Sequence, residues 1–143
     1  MLTFGPEVVK WVEEQLDTKF GPTAQGIGDG RAAVVFDEYR SGVDIQMHIA
    51  KREGEILSPT LVAAMMHYPF EQLKVKRITG YIAENNLESQ RFAKKLGARL
   101  EGVLKDALPE GNLCIYGLLR EDAGKWLSKP FKCRLGVVHG QSS

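Results

Sequence analysis

Apolar and polar residues change their spacing several times along the chain, and each spacing predicts a different element. Apolar residues in 6–16 recur at three- and four-residue intervals, which predicts a helix, and Pro6 suits its first position. Residues 32–36 form an unbroken apolar run, which is typical of a strand covered on both faces. Residues 43–50 alternate between apolar and polar side chains, which predicts another strand.

Turn and capping residues mark further boundaries. Asp29-Gly30 is a tight-turn signal and predicts a hairpin between a short strand and the run at 32–36. Ser58-Pro59 combines an N-cap with a proline at the first helical position, so a helix should begin there. Pro69 should kink or divide that helix, because its ring removes a backbone donor.

The second half of the chain predicts one more helix between strands. Residues 75–83 are interpreted as a strand, and Asn85 or Asn86 as the cap of a helix that ends at Gly97. Two strands are predicted near residues 99–104 and 113–119, joined by a turn.

This order of elements predicts an α/β (α+β) fold with one mixed sheet of about six strands flanked by helices. A chain of 143 residues suits one domain, which we assign to residues 1–127. Residues 128–143 contain Phe131, Leu135 and Val137 and are interpreted as a C-terminal arm on this domain or on a neighbour. A homodimer through this arm is compatible with the sequence, which does not require it.

Composition narrows the functional class. Hydrophobic residues make up 43% and charged residues 26%, as in ordinary folded soluble proteins. The formal net charge of +1 offers no basic excess, so neither a nucleic-acid nor a membrane partner is expected. We expect no secretory signal and no membrane span, because no segment has the required long apolar run.

Cysteines and histidines are too sparse for a disulfide framework or a metal site. The two cysteines, Cys114 and Cys133, favour a reduced cytoplasmic protein. The histidines at 48, 67 and 139 lie far apart and have no cysteine spacing beside them, so no metal is expected.

Residues 82–102 carry an ordered set of motifs. An apolar strand precedes Asn86-x-x-Ser89, a helix follows, and then come Lys95-x-Gly97 and Glu101-Gly102. This order resembles the GNAT acetyltransferase pattern, and most of all its branch of ribosomal-protein N-terminal acetyltransferases. Small GNAT-like proteins encoded by bacteriophages share much of this arrangement. The likeness continues upstream through residues 68–73 and downstream through residues 115–120 and Trp126.

The resemblance implies a GNAT fold whose sheet splays between the parallel strands at 43–50 and 75–83, with acetyl-CoA in the opening. The implied activity is acetyl-CoA-dependent transfer of an acetyl group to a primary amine of a small molecule or a protein N-terminus. Direct transfer needs positioning, oxyanion donors and a proton acceptor, but no enzyme nucleophile. The implied cofactor contacts are Ile49, Ala50, Arg52, Gly54, Ser58, Asn86, Ser89 and Phe92.

Two residues are candidates for catalysis. Ser89 would protonate or orient the leaving thiolate, and its alternative is a solvated or capping hydroxyl. His48 would accept the amine proton, because its pKa range suits that task. Its alternative is a surface or core role beside Asp44 on the polar face of its strand. Asn86 would cap a helix whether or not it also contacts the cofactor.

Departures from the family pattern keep other functions open. The segment Lys51–Ser58, where the family has a phosphate loop rich in Arg and Gly, holds one glycine and adds Glu53 and Glu55, which oppose a pyrophosphate. Ala93 occupies the position where many members have a tyrosine acid. One alternative is therefore a GNAT-fold binding or structural protein without activity. A further alternative is an unrelated α/β module whose sheet does not splay.

Overall fold

The computed structural model of the chain describes residues 1–128, which form a mixed sheet with helices on both faces. The seven strands are β1 Thr3–Phe4, β2 Gln25–Gly28, β3 Ala32–Arg40, β4 Asp44–Lys51, β5 Arg77–Ala83, β6 Arg99–Leu108 and β7 Gly111–Leu119. The helices are α1 Pro6–Leu16, α2 Pro59–His67, α3 Leu87–Leu96 and α4 Gly124–Leu127, with a π-helical turn at Tyr68–Gln72 and a 3-10 turn at Arg120–Ala123. The sheet order is β1-β2-β3-β4-β5-β7-β6, and of its adjacent pairs only β4 and β5 run parallel.

The helices begin where the local signals predicted. Pro6 opens α1, and the Ser58 hydroxyl accepts a hydrogen bond from the Leu61 N–H at 3.1 Å at the start of α2. Asn86, rather than Asn85, caps α3, because its side-chain oxygen accepts the Ser89 N–H at 3.2 Å. Pro69 lies in the π-helical turn that ends the α2 segment, so its predicted interruption is confirmed.

The expectation of about six strands was one too few. Thr3 and Phe4 pair with Gly28 and Ile27 of β2 and add a strand at the edge of the sheet. Two residues are too short to show an alternating pattern, and their strand conformation depends on the β2 neighbour. The last two strands also extend closer to their connecting turn than predicted, because cross-strand pairing holds the polar residues near it.

The sheet separates two apolar layers. On one face α2 and α3 cover a large core that includes Phe36, Ile45, Leu61, Met65 and Phe70. On the other face α1 covers a smaller core. The run at 32–36 in β3 contributes to both layers and is buried throughout, which confirms the prediction of a strand covered on both faces.

The helices of residues 1–128 are short, and the predicted C-terminal arm lies almost entirely beyond residue 128. None of the helices within residues 1–128 is both long and apolar enough to cross a bilayer. Apart from Ser128, the arm predicted for residues 128–143 lies outside the described residues, and so do Cys133 and His139. The division into a domain and an arm stays a prediction.

The turn after α3 generates a test of the fold. Gly97 has φ +112°, and a Cβ there would lie 2.6 Å from the Asp122 carbonyl oxygen. We expect Gly97→Ala to lower the free energy of unfolding by about 2–3 kcal/mol, because it adds backbone strain and a steric clash. Urea denaturation measures the change.

The matched control is Gly124→Ala, where a Cβ would meet no atom within 4 Å and φ is helical. This variant should stay within about 0.5 kcal/mol of the parent protein. Equal stability of the two variants would contradict the close packing of α3 against the Arg120–Ala123 turn.

Candidate active site

The parallel strands β4 and β5 pair over a short stretch and then separate. Asp44, Ile45 and Gln46 pair with Arg77, Ile78 and Thr79, and these three pairs are the whole β4–β5 ladder. Beyond them β4 continues to Lys51 along β3, and β5 continues to Ala83 along β7. The splay that the family resemblance implied is therefore confirmed, and an unrelated fold without it is excluded.

The separated part of β4 presents unpaired backbone groups to the opening. The Val43 carbonyl accepts from the Lys76 and Arg77 N–H groups on the β5 side, whereas the Arg52 N–H donates to Arg31 on the β3 side. Alternate residues of a strand present their backbone groups to the same side, so Ile49 faces the opening. By the same alternation the backbone of Ala50 faces β3, and its side chain lies in the core beneath α1.

The segment after β4 forms a tight turn. The Glu55 N–H donates to the Arg52 carbonyl at 3.1 Å, and Gly54 has φ +80° as the third residue of that turn. The Arg52 side chain points back to the hairpin, where its Nε donates to the Gly30 carbonyl at 2.8 Å. Its guanidinium also lies 5.3 Å from the centre of the Trp11 ring. Arg52 thus contacts the hairpin and the Trp11 ring of α1.

An acidic side chain lies beside that N-terminus. The Asp29 carboxylate accepts hydrogen bonds from the Arg31 and Ala32 N–H groups at 2.9 and 3.0 Å, and the nearby Ser58 hydroxyl also favours its charged form. Partial burial opposes its charge, but these hydrogen bonds outweigh that effect and lower the pKa of Asp29 below its usual value. A carboxylate therefore lies near Ser58, which was predicted to contact the cofactor.

The start of α3 forms the other side of the mouth. Glu88, in the first turn of α3, pairs with Lys51 at the end of β4, with 3.7 Å between Nζ and the carboxylate. The Ser89 hydroxyl has no hydrogen-bond partner among residues 1–128, so it remains available to a ligand. Phe92 is half-buried and packs on the core beneath α3.

His48 lies on the face of the sheet that α1 covers, opposite the face that α3 covers. Its ring packs against Phe20, with 4.7 Å between centroids, below α1 rather than in open solvent. Burial lowers the pKa of His48, and the nearby Asp37 carboxylate offsets only part of that effect. The ring is consequently neutral at neutral pH and able to accept a proton.

A polar network lies on the same face at the base of the opening. The Thr79 hydroxyl donates to Asp44 at 2.8 Å and accepts from Arg77 Nε at 3.0 Å. The other guanidinium nitrogens of Arg77 bind both carboxylate oxygens of Glu101, at 3.1 and 2.7 Å. These hydrogen bonds raise the pKa of Arg77 against the opposing effect of partial burial.

Sequence reasoning did not find this network. Glu101 reaches Arg77 because it lies at a register shift in β6 and because Gly117 leaves space. A Cβ at Gly117 would collide with the Glu101 carboxylate. The Glu101-Gly102 pair belongs to the motifs that carry the family resemblance, but nothing local to it indicates Arg77 as the partner.

Two other features complete the surroundings of the sheet. The buried Tyr116 hydroxyl donates to Gln90 at 2.5 Å, which ties α3 to the sheet. A shallow depression of about 450 Å³ lies at the opposite end of β5 and is lined by Lys74, Lys76 and Arg120 among others. Within residues 1–128 no three His, Cys, Asp or Glu side chains are grouped to hold a metal ion.

The environment of His48 generates a pH prediction. Because its folded-state pKa is lowered, the unfolded chain takes up this proton first as the pH falls through about 6.5. The free energy of unfolding should therefore decrease as the pH drops below that value. Urea denaturation at several pH values should show a shallower decrease for His48→Gln.

A direct titration is the second readout. The NMR-detected pKa of His48 should lie below 6.5 in the parent protein and rise in Phe20→Ala, which exposes the ring to water. An unshifted His48 in the parent protein would contradict its burial beneath α1.

Comparison with known proteins places these features in a family. The model of the acetyltransferase (GNAT) domain matches residues 7–99. An uncharacterized N-acetyltransferase, YnaD of Bacillus subtilis, is 37% identical over 49 residues, or 34% of this chain. The matched segment spans 29% of that relative's length.

Solved structures agree on the fold. Spermidine/spermine N-acetyltransferase SpeG from Vibrio cholerae superposes with a TM-score of 0.70 at 13% identity, covering 89% of this chain and 95% of SpeG. A GNAT acetyltransferase from Bacillus anthracis gives a TM-score of 0.58 at 19% identity, covering 78% and 72%. With the domain match, the splayed sheet and the motifs of residues 82–102, this chain belongs to the GNAT acetyltransferase family.

Proposed function

We propose that this protein transfers an acetyl group from acetyl-CoA to a primary amine. The observation that carries the proposal is the opening between β4 and β5 in a chain of the GNAT family. Backbone N–H and C=O groups on the free side of β4 need partners, and an extended amide-containing pantetheine arm supplies them as an added strand would. Ile49 would bind that arm through its backbone, and Asn86, Ser89 and Phe92 would border it.

Bound acetyl-CoA would supply an activated thioester. In the transfer, the C–N bond to the amine forms as the C–S bond of the thioester breaks. His48 would accept the proton that the amine loses, because its ring is neutral and it lies on the α1 face of β4, in the part that has separated from β5. Ser89 would donate a hydrogen bond or proton to the departing sulfur from the α3 side. The two residues thus serve opposite sides of the same opening.

The open face of the sheet supports a cationic acceptor. Asp44 and Glu101 contribute two carboxylates against the single guanidinium of Arg77, so the network carries a net negative charge. Tyr81, 40% exposed, provides an aromatic surface on the same face. Spermidine, named for the SpeG structures, is therefore the first acceptor to test. A protein N-terminus, as in the ribosomal-protein branch, is the second.

A second candidate function is a binding protein without acetyltransferase activity. The observation that favours it is that both cations of residues 51–58 already have partners, since Lys51 pairs with Glu88 and Arg52 donates to Gly30. Cytoplasmic location, phage relatedness and a homodimer remain predictions under either function.

Calorimetric titration with acetyl-CoA is the first test of the proposal. We expect micromolar affinity, and we expect the double variant Asn86→Ala, Ser89→Ala to weaken it about tenfold, or about 1.4 kcal/mol. The reason is that both side chains border the opening at the start of α3.

Two controls separate binding from folding. Asn85→Ala removes a neighbouring exposed amide that does not cap α3 and should bind acetyl-CoA normally. Asn86→Ser keeps a capping oxygen and tests the amide itself. No binding at millimolar acetyl-CoA by the parent protein would overturn the acetyltransferase proposal and favour the binding protein.

The proton-acceptor role of His48 predicts a kinetic signature. With spermidine as acceptor, His48→Gln should lower kcat/KM about 100-fold or more, and the parent rate should fall as the pH drops through the pKa of His48. The affinity for acetyl-CoA measured by calorimetry should not change. An unaltered pH profile in His48→Gln would show that another group accepts the proton.

A further inference from the structure

Gly80 lies at the closed end of the opening between β4 and β5. It follows Thr79, whose pair with Gln46 is the last of the β4–β5 ladder. The register of that ladder would place Met47 opposite Gly80, but the two strands have already separated there. Gly80 is therefore the first residue of β5 that borders the opening.

Neither backbone conformation nor packing within residues 1–128 requires a glycine at this position. A glycine in the middle of a strand weakens it, and often marks a place where a ligand approaches the backbone closely. Gly80 is not among the glycines with positive φ, so other residues could adopt its backbone conformation. Gly117, which pairs with Thr79, differs because a Cβ there would collide with the Glu101 carboxylate.

Empty space lies above Gly80 on the face of the sheet that α3 covers. Side chains alternate along β5, and Ile78 packs in the core on that face, so a side chain at residue 80 would point the same way. Apart from its chain neighbours, a Cβ at Gly80 would meet no atom of residues 1–128 within 4 Å. Gly80 is also partly exposed, whereas Ile78 and Thr79 are buried. The position therefore has room for more than one methyl group.

Two side chains on the same face border this space. Tyr116 of β7 pairs with Gly80 and is 2% exposed. Its hydroxyl donates to Gln90 of α3 at 2.5 Å, and the Gln90 amide donates to the Glu84 carbonyl at 2.6 Å, so this side of the space is fixed. Met47 forms the β4 side, and its unbranched side chain can adapt to a ligand.

The acyl end of a bound donor would lie next to Gly80. The opening runs from the Gln46–Thr79 pair to its mouth, where Lys51 of β4 pairs with Glu88 of α3. A CoA thioester carries a charged nucleotide at one end of its pantetheine arm and the acyl group at the other. Since the nucleotide stays in water at the mouth, an arm along the free edge of β4 places the acyl group at the closed end.

We propose that the space above Gly80 holds the acyl chain, so that the donors of this protein include propionyl-CoA as well as acetyl-CoA. The inference rests on the proposed function and names Gly80 as the residue that determines acyl size. The bonds that change are those of acetyl transfer. The C–N bond forms as the C–S bond breaks, the amine loses its proton to His48, and the thiolate departs.

Calorimetric titration of the full chain with acetyl-CoA, propionyl-CoA and free CoA tests the inference. Propionyl-CoA should bind the parent protein about threefold more tightly than acetyl-CoA, because it buries one more methylene. Gly80→Ala should reverse this order, because its methyl group takes the added space and weakens propionyl-CoA about tenfold, while acetyl-CoA changes less than about threefold. Gly80→Val should weaken both thioesters about tenfold or more and leave free CoA within about twofold of the parent.

Thermal stability and a distant glycine provide the controls. Neither Gly80 variant should lower Tm by more than about 2 °C, because alanine and valine are no less compatible with a strand and no atom opposes their Cβ. Gly124→Ala in α4 also adds a Cβ with no atom within 4 Å and should leave all three affinities unchanged. Equal weakening of free CoA and acetyl-CoA in Gly80→Val would overturn the inference, because the variant would then act on the arm and not on the acyl group.

The outcomes separate this inference from the proposed function. If the parent protein binds acetyl-CoA but binds propionyl-CoA about tenfold or more weakly, the inference alone is overturned. The same holds if Gly80→Ala binds both thioesters as the parent does. Failure of both thioesters and of free CoA to bind at millimolar concentration would overturn the proposed function and the inference together. Transfer from both thioesters to spermidine, with selective loss of propionyl transfer in Gly80→Ala, supports the two proposals jointly.

Discussion

The site depends on the point at which β4 and β5 stop pairing. Three residue pairs join the strands, and the last of them, Gln46 with Thr79, marks where the opening begins. Thr79 also carries the polar network, since its hydroxyl links Asp44 on β4 to Arg77 on β5. Side-chain hydrogen bonds thus reinforce the short ladder below the opening. Where the two strands have separated, α2 and α3 cover one face of the sheet. The part of the other face that α1 does not cover stays accessible.

This arrangement assigns different chemistry to the two sides of the opening. On the α3 side, Ser89 presents an uncommitted hydroxyl near the end of β5. On the α1 side, burial against Phe20 keeps His48 neutral, which a proton acceptor requires. The partly exposed Asp44–Arg77–Glu101 network extends that second side as a negatively charged surface. An acyl donor in the opening would therefore meet an amine acceptor across the plane of the sheet.

The mouth of the cleft explains why family membership alone does not settle donor recognition. Lys51 pairs with Glu88, the Arg52 Nε donates to the Gly30 carbonyl, and the Asp29 carboxylate lies near Ser58. These contacts within the chain distinguish the segment from the Arg- and Gly-rich phosphate loop that the family resemblance implied. The free edge of β4 favours the enzyme, because a binding protein has no need to leave those backbone groups unpaired.

The sequence by itself determined the features that depend on neighbouring residues. Pro6 fits the first position of its helix, and Ser58 and Asn86 cap theirs through local hydrogen bonds. Apolar spacing and turn residues located six strands, and the motifs of residues 82–102 indicated the family. Only the tertiary structure decided which charges remain free and which groups meet across strands. Arg77 and Glu101 are 24 residues apart, and β1 exists only through β2. Such contacts depend on strand register and burial, which no local pattern encodes.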